Sequence, residues 1–222
     1  MISRATIAAA AAAAATTAVL TAAPAAAVPR PVSAGDPLVT ASTLCTLGYT
    51  YTTPAGRLIG ITAGHCDPGG PNRTVIDKAT GARGEFLLTV HNADQPGADD
   101  YALINFGSNR EVPGIHGLPT NPGIQDLDTS KIVCRDGIRT SVQCGNIAPT
   151  SYGANQHLTL GMPDSIPGDS GAPVWQIGAA GQADIVGIWL GRQTTTTGQS
   201  YGRFLALRDA VEDLPDRTAT SA

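Results

Sequence analysis

The sequence predicts an all-β fold, and three observations carry that reading. Glycine and proline are plentiful, at 26 and 16 of 222 residues. The apolar runs are short and end in Gly, Pro, Asn or Asp, as the strands of antiparallel sheets do. Sustained helical periodicity is scarce. With 42% hydrophobic and 14% charged residues, the chain can bury one sizeable core or two small ones.

Residues 1–27 read as an export signal, because Arg4 precedes an apolar, alanine-rich run over 7–20 and then small residues suited to signal peptidase. Two small-x-small sites fit cleavage: after Ala27 and, as the alternative, after Ala34. The apolar run is shorter than the roughly 20 residues a bilayer span needs, and no later stretch is apolar enough to cross. A mature chain beginning at residue 28 is therefore expected to be soluble and secreted. Export puts Cys45, Cys66, Cys134 and Cys144 in an oxidising compartment, where an even number points to disulfides. Three pairings are possible, and Cys45–Cys66 with Cys134–Cys144 is the local one. No Cys-x-x-Cys or His-x-x-x-His spacing supports a zinc site, so neither metal nor cofactor is expected.

Strands are expected over residues 44–52, 58–62, 84–91, 101–106, 131–134, 145–148, 172–177, 185–190 and 202–205. Between them, residues 113–128 carry three prolines and little strand pattern, which suits a link between two halves. Asp136-Gly137 is expected in a hairpin loop between Cys134 and Cys144. The one helix expected covers 205–214, with Leu207, Val211 and Leu214 on one face. A net charge of −4 argues against nucleic acid or an anionic membrane as partner.

Three segments carry chemistry. In Gly168-Asp169-Ser170-Gly171-Ala172-Pro173, glycines flank a serine, which lets the backbone turn tightly and aim N–H donors at a developing oxyanion. By itself the segment also reads as a polar turn. Thr62-Ala63-Gly64-His65-Cys66 sets a histidine beside a disulfide candidate at the end of an apolar strand, a setting that His91, His116 and His157 lack. In Asp99-Asp100-Tyr101-Ala102-Leu103-Ile104, an acid immediately precedes a buried strand and could orient a histidine ring.

Together these segments resemble the trypsin and chymotrypsin superfamily, in the order His, Asp, Ser. The segment from Val133-Cys134-Arg135-Asp136-Gly137 to Cys144-Gly145 is similar to the short actinobacterial branch, the streptogrisins and α-lytic protease. The resemblance implies two six-stranded antiparallel Greek-key barrels, over about 40–115 and 129–207, with the active site between them. It also implies a monomeric secreted endopeptidase acting on proteins or peptides. Ser170 would be nucleophile, His65 general base and Asp100 the orienting carboxylate, with an oxyanion hole at the N–H groups of Gly168 and Ser170. Arg135 would pair with Asp169, a task that a newly cut N-terminus performs in animal relatives.

Asp164, six residues before Ser170, resembles the aspartate at the base of trypsin's primary pocket and implies a preference for Arg or Lys. Arg192 on the opposite wall could pair with it and close the pocket to basic side chains. The sequence departs from the family in three ways. Ala172 stands in place of a glycine, Ile166 takes the place of half of a pocket disulfide, and no long pro-segment precedes the domain. The rival readings are a catalytically silent binding protein with the same fold and an α/β-hydrolase esterase, which would need the histidine last in the chain.

Overall fold

The strand expected over residues 44–52 breaks at Leu47-Gly48, and that break shapes the N-terminal half. In the computed structural model, which describes residues 28–162 and 166–211, the chain runs through β1 (Pro31–Val32), β2 (Pro37–Val39), β3 (Leu44–Thr46), β4 (Tyr49–Thr52) and β5 (Leu58–Thr62). It continues through β6 (Thr74–Asp77), β7 (Arg83–His91), β8 (Asp100–Asn105) and β9 (Arg110–Glu111). Seven of these strands form one sheet, ordered β3-β2-β6-β7-β8-β5-β4. Its two edges, β3 and β4, are joined by only Leu47 and Gly48, so the sheet must curl until its edges meet. Leu47 N–H donates to the Asp36 carbonyl and Gly48 N–H to the Ile61 carbonyl, at 2.9 and 2.8 Å. The strands β1 and β9 lie outside this sheet as a short parallel pair.

The C-terminal half is a closed six-stranded barrel, β10 (Val133–Gly137), β11 (Ser141–Ser151), β12 (Gln156–Leu160), β15 (Ser200–Ala206), β14 (Ala183–Thr194) and β13 (Pro173–Ile177) in spatial order. A closed barrel beside a curled sheet is consistent with the two-barrel architecture that the resemblance implied, except that the first half has seven strands in its sheet in place of six; closure leaves the second barrel without a free edge. One apolar core cluster joins Leu47, Ile61 and Leu103 of the first half to Ile188 and Leu205 of the second. A smaller one gathers Val133, Val174, Trp189 and Phe204 inside the closed barrel.

Several local expectations are corrected. Asp136 and Gly137 are not in the hairpin loop; they pair with Val142 and Ser141, so the turn falls on residues 138–140. The strands β6 and β12 were not anticipated, since Thr74–Asp77 and Gln156–Leu160 mix polar and apolar residues without a clean run. Leu205 and Ala206 belong to β15, and the helix α1 spans Leu207–Val211. The export signal over residues 1–27, Asp164 and the end of the expected helix over 212–214 lie outside the described residues. No helix among the described residues is long and apolar enough to cross a membrane.

Candidate active site

His65 sits in a single 3₁₀ turn, Gly64–Cys66, directly after β5. All five residues of β5 are buried, which fixes the strand, and the Cys45–Cys66 disulfide ties the turn to β3. The other bridge, Cys134–Cys144, spans the paired strands β10 and β11, so the local pairing of the four cysteines is the one found.

Asp100 opens β8 and its side chain is only 7% exposed. Its Oδ1 accepts the backbone N–H of His65 at 2.9 Å, and its Oδ2 lies 2.8 Å from His65 Nδ1. Burial alone would raise the Asp100 carboxyl. The hydrogen bond and charge of the His65 ring, the His65 amide and the neighbouring His91 outweigh it and hold the group below the ordinary carboxylate value. Asp99 instead accepts from Asn155 Nδ2 at 3.1 Å, away from the histidine.

The serine turn is held from both barrels. Gly171 N–H donates to the Trp189 carbonyl at 2.7 Å, and Trp189 N–H returns to Ala172 at 2.8 Å, pinning the turn to β14. From the first barrel, Thr46 N–H donates to the Ser170 carbonyl at 2.8 Å, while Thr46 Oγ1 donates to the Gly168 carbonyl at 2.8 Å. Cys66 Sγ, one residue from His65, lies 3.9 Å from that same Ser170 carbonyl oxygen. The serine turn and the histidine turn are thus neighbours across the barrel junction. Gly168 has φ 113°, and a Cβ there would come within 2.8 Å of the Arg139 side chain, so the turn needs glycine at this position.

Under the turn lies a buried ion pair. Arg135 and Asp169 have no exposed side-chain surface, and Arg135 Nη1 is 3.0 Å from Asp169 Oδ2. The same carboxylate accepts the N–H groups of Arg139, Thr140 and Ile166 and the Thr140 hydroxyl, at 3.0, 3.2, 3.2 and 2.8 Å. Burial pushes the Asp169 carboxyl up, but these donors and the Arg135 charge together bring it below its ordinary value. Arg135 also stacks over the Trp189 ring, 4.5 Å from its centroid. Gly137 faces Asp169 so closely that a Cβ would fall 2.3 Å from Oδ1.

Two participants were missed from sequence. Thr46 gave no signal, because a threonine in an apolar strand is ordinary. His91 was set aside, yet it stands directly across from Asp100 in the β7–β8 ladder, with Nδ1 3.3 Å from Asp100 Oδ1. Only the strand register reveals it. Arg192 is exposed on β14, opposite Gly202. A cavity of about 360 Å³, lined by Tyr49, Glu111, Pro122 and Ile185 among others, lies between the halves and includes none of His65, Asp100 or Ser170.

The fold is that of the actinobacterial chymotrypsin-like serine proteases. Thermobifida fusca protease A superimposes with a TM-score of 0.62 at 20% identity, over 83% of this chain and 96% of that one. A Nocardiopsis protease gives 0.59 at 21% identity over 82% and 95%, and an α-lytic protease homologue 0.56 at 21% over 83% and 97%. No family model matches the chain. By sequence it is 32% and 31% identical to uncharacterized proteins from two strains of Mycobacterium tuberculosis, over 66% of this chain and 67% of each of them. The chain belongs to one family with these mycobacterial proteins.

Proposed function

We propose that this chain is a secreted serine endopeptidase, with Ser170 as nucleophile, His65 as general base and Asp100 as the carboxylate that orients the base. The observation that carries the reading is the 2.8 Å contact between His65 Nδ1 and the buried Asp100 carboxylate in a serine-protease fold. Asp100 keeps the ring proton on Nδ1, which leaves Nε2 to take the proton of Ser170 Oγ as that oxygen attacks the scissile carbonyl carbon. The N–H groups of Gly168 and Ser170 donate to the carbonyl oxygen as it becomes negative. His65 then passes the proton to the leaving amine, giving an acyl-enzyme. Water, deprotonated by the same ring, releases the acid and restores Ser170.

A fluorophosphonate titration tests this, since only an activated Ser170 takes the label. One equivalent is expected on the wild type and none on Ser170→Ala. Peptide hydrolysis is expected to fall on the order of 10⁶ in Ser170→Ala, and nearly as far in His65→Ala, as in an unrelated serine protease. A folded chain that neither labels nor cleaves is the catalytically silent relative instead.

The specificity reading rests on Asp164. A carboxylate at the base of the primary pocket is costly unless a cation reaches it, which selects Arg or Lys on the acyl side of the cut bond. An Arg192 that turned inward to Asp164 would select small or apolar residues. A fluorogenic library with every residue at that position separates the two. Secretion rests on the signal at residues 1–27 and fits the two disulfides.

A further inference from the structure

Among the described residues, one cluster combines the donor types of a transition-metal site, namely His65, His91 and Asp100. Each offers one ligand atom, and the three atoms lie within 4.8 Å of one another. The Asp100 carboxylate sits between the two rings, with His65 Nδ1 2.8 Å from Oδ2 and His91 Nδ1 3.3 Å from Oδ1. The imidazoles are tilted by 58° with centroids 5.9 Å apart, so they converge on the carboxylate without stacking against each other. Both histidine side chains are about one-third exposed, at 31% and 34%, so an ion can reach the cluster from solvent and the rings have room to close on it.

We infer that His65, His91 and Asp100 form an inhibitory site for a divalent transition metal, with zinc as the matching ion. Two imidazoles and one carboxylate suit zinc, copper or nickel and disfavour magnesium and calcium, which take oxygen donors. Tetrahedral zinc binds nitrogen and oxygen at about 2.0 to 2.2 Å, so three ligand atoms from the protein leave one position for water.

Inhibition follows from the tautomer. A neutral imidazole carries one N–H. Without metal that proton lies on His65 Nδ1, held by Asp100, and Nε2 has the free lone pair. Zinc on Nδ1 takes the other lone pair and sends the proton to Nε2 of the same ring, with no net release. The resulting Nε2–H cannot accept the proton of Ser170. This consequence rests on the proposed role of His65 as base; the binding itself does not.

The test uses the full mature chain and two separate readouts. Calorimetric titration with zinc chloride should show one ion per chain for the wild type and equally for Ser170→Ala. His91→Gln should weaken binding about tenfold or more, since removing even a group that merely supports a ligand costs roughly 10- to 100-fold in metal affinity and here a ligand itself is gone. Fluorophosphonate labelling of the wild type should stop on adding zinc and return with a chelator, while magnesium leaves it unchanged. The zinc concentration that halves labelling should rise by the same factor in His91→Gln, each variant being compared with its own metal-free rate. Equal zinc sensitivity of wild type and His91→Gln, or no zinc bound by the wild type, overturns the site. A chain that binds zinc through His91 but never takes the label leaves the site standing and sinks the protease reading.

Discussion

Thr46 of the first barrel holds two carbonyl groups of the serine turn in the second, donating from its amide to Ser170 and from its hydroxyl to Gly168, each at 2.8 Å. Thr46 is fully buried and follows Cys45, whose disulfide partner Cys66 adjoins His65. A single short strand therefore sets the spacing of the proposed base and nucleophile.

Removing the hydroxyl should separate this positioning from folding. Thr46→Val keeps the volume and the amide but leaves the Gly168 carbonyl without its donor in a buried site, at a cost of about 1 to 3 kcal/mol. Thermal unfolding should report that loss. Because Gly168 supplies an oxyanion N–H in the proposed mechanism, kcat should fall more than KM changes. A variant as stable and as active as the wild type would show that Thr46 does not position the turn.

The Arg135–Asp169 pair should behave as a buried charge pair whose halves cannot be removed singly. Arg135→Ala leaves a buried carboxylate without its cation and should cost about 3 to 5 kcal/mol and impair labelling of Ser170. Extending or blocking the mature N-terminus should leave activity nearly unchanged, because the cation is internal. The opposite pattern, a tolerant Arg135 and a sensitive N-terminus, would indicate activation by cleavage.

Acid should attack the same pair. The folded-state pKa of Asp169 is held below its ordinary value of 3.8, so the stability it contributes is present above that value and is lost as pH falls through the depressed one. Unfolding followed downward from about pH 5 should therefore show a steep loss in the wild type. The loss should be shallower in Asp169→Asn, which lacks the titrating group, even though that variant starts from lower stability.

Asp36 should act in the opposite sense. Burial, and then the neighbouring Asp77 carboxylate, raise it from 3.8 to about 6 despite the Ser33 N–H that donates to it. A raised carboxyl contributes stability that is complete below its unfolded value and is lost as pH rises through about 6. Asp36→Asn keeps an acceptor for Ser33 and should gain on the wild type in melting temperature from about pH 4 to about pH 7. Parallel curves for the two proteins would remove Asp36 from the account.

If the proposed export signal is cleaved, the new N-terminus should be Val28. Val32 is fully buried, β1 pairs with β9, and the Ser33 hydroxyl donates to the Val112 carbonyl at 2.8 Å, contacts that cleavage after Ala34 would discard. Terminal sequencing of the chain recovered from the culture medium, where the proposed signal would send it, decides between the two sites.

Local chemistry made part of this protein legible in its sequence. Glycine-bounded apolar runs specify short strands wherever they occur, and the turn at Gly168-Asp169-Ser170 needs glycine for reasons contained in its own backbone. Three motifs in a fixed order were enough to suggest His65, Asp100 and Ser170 without coordinates. The tertiary structure alone decided what depends on register and closure. The pairing of β7 with β8 brings His91 opposite Asp100, the break at Leu47-Gly48 curls one sheet shut, and Thr46 reaches across to the serine turn. No window of sequence holds such information, because a one-residue slip in register would turn His91 to the other face of its strand while leaving every local propensity unchanged.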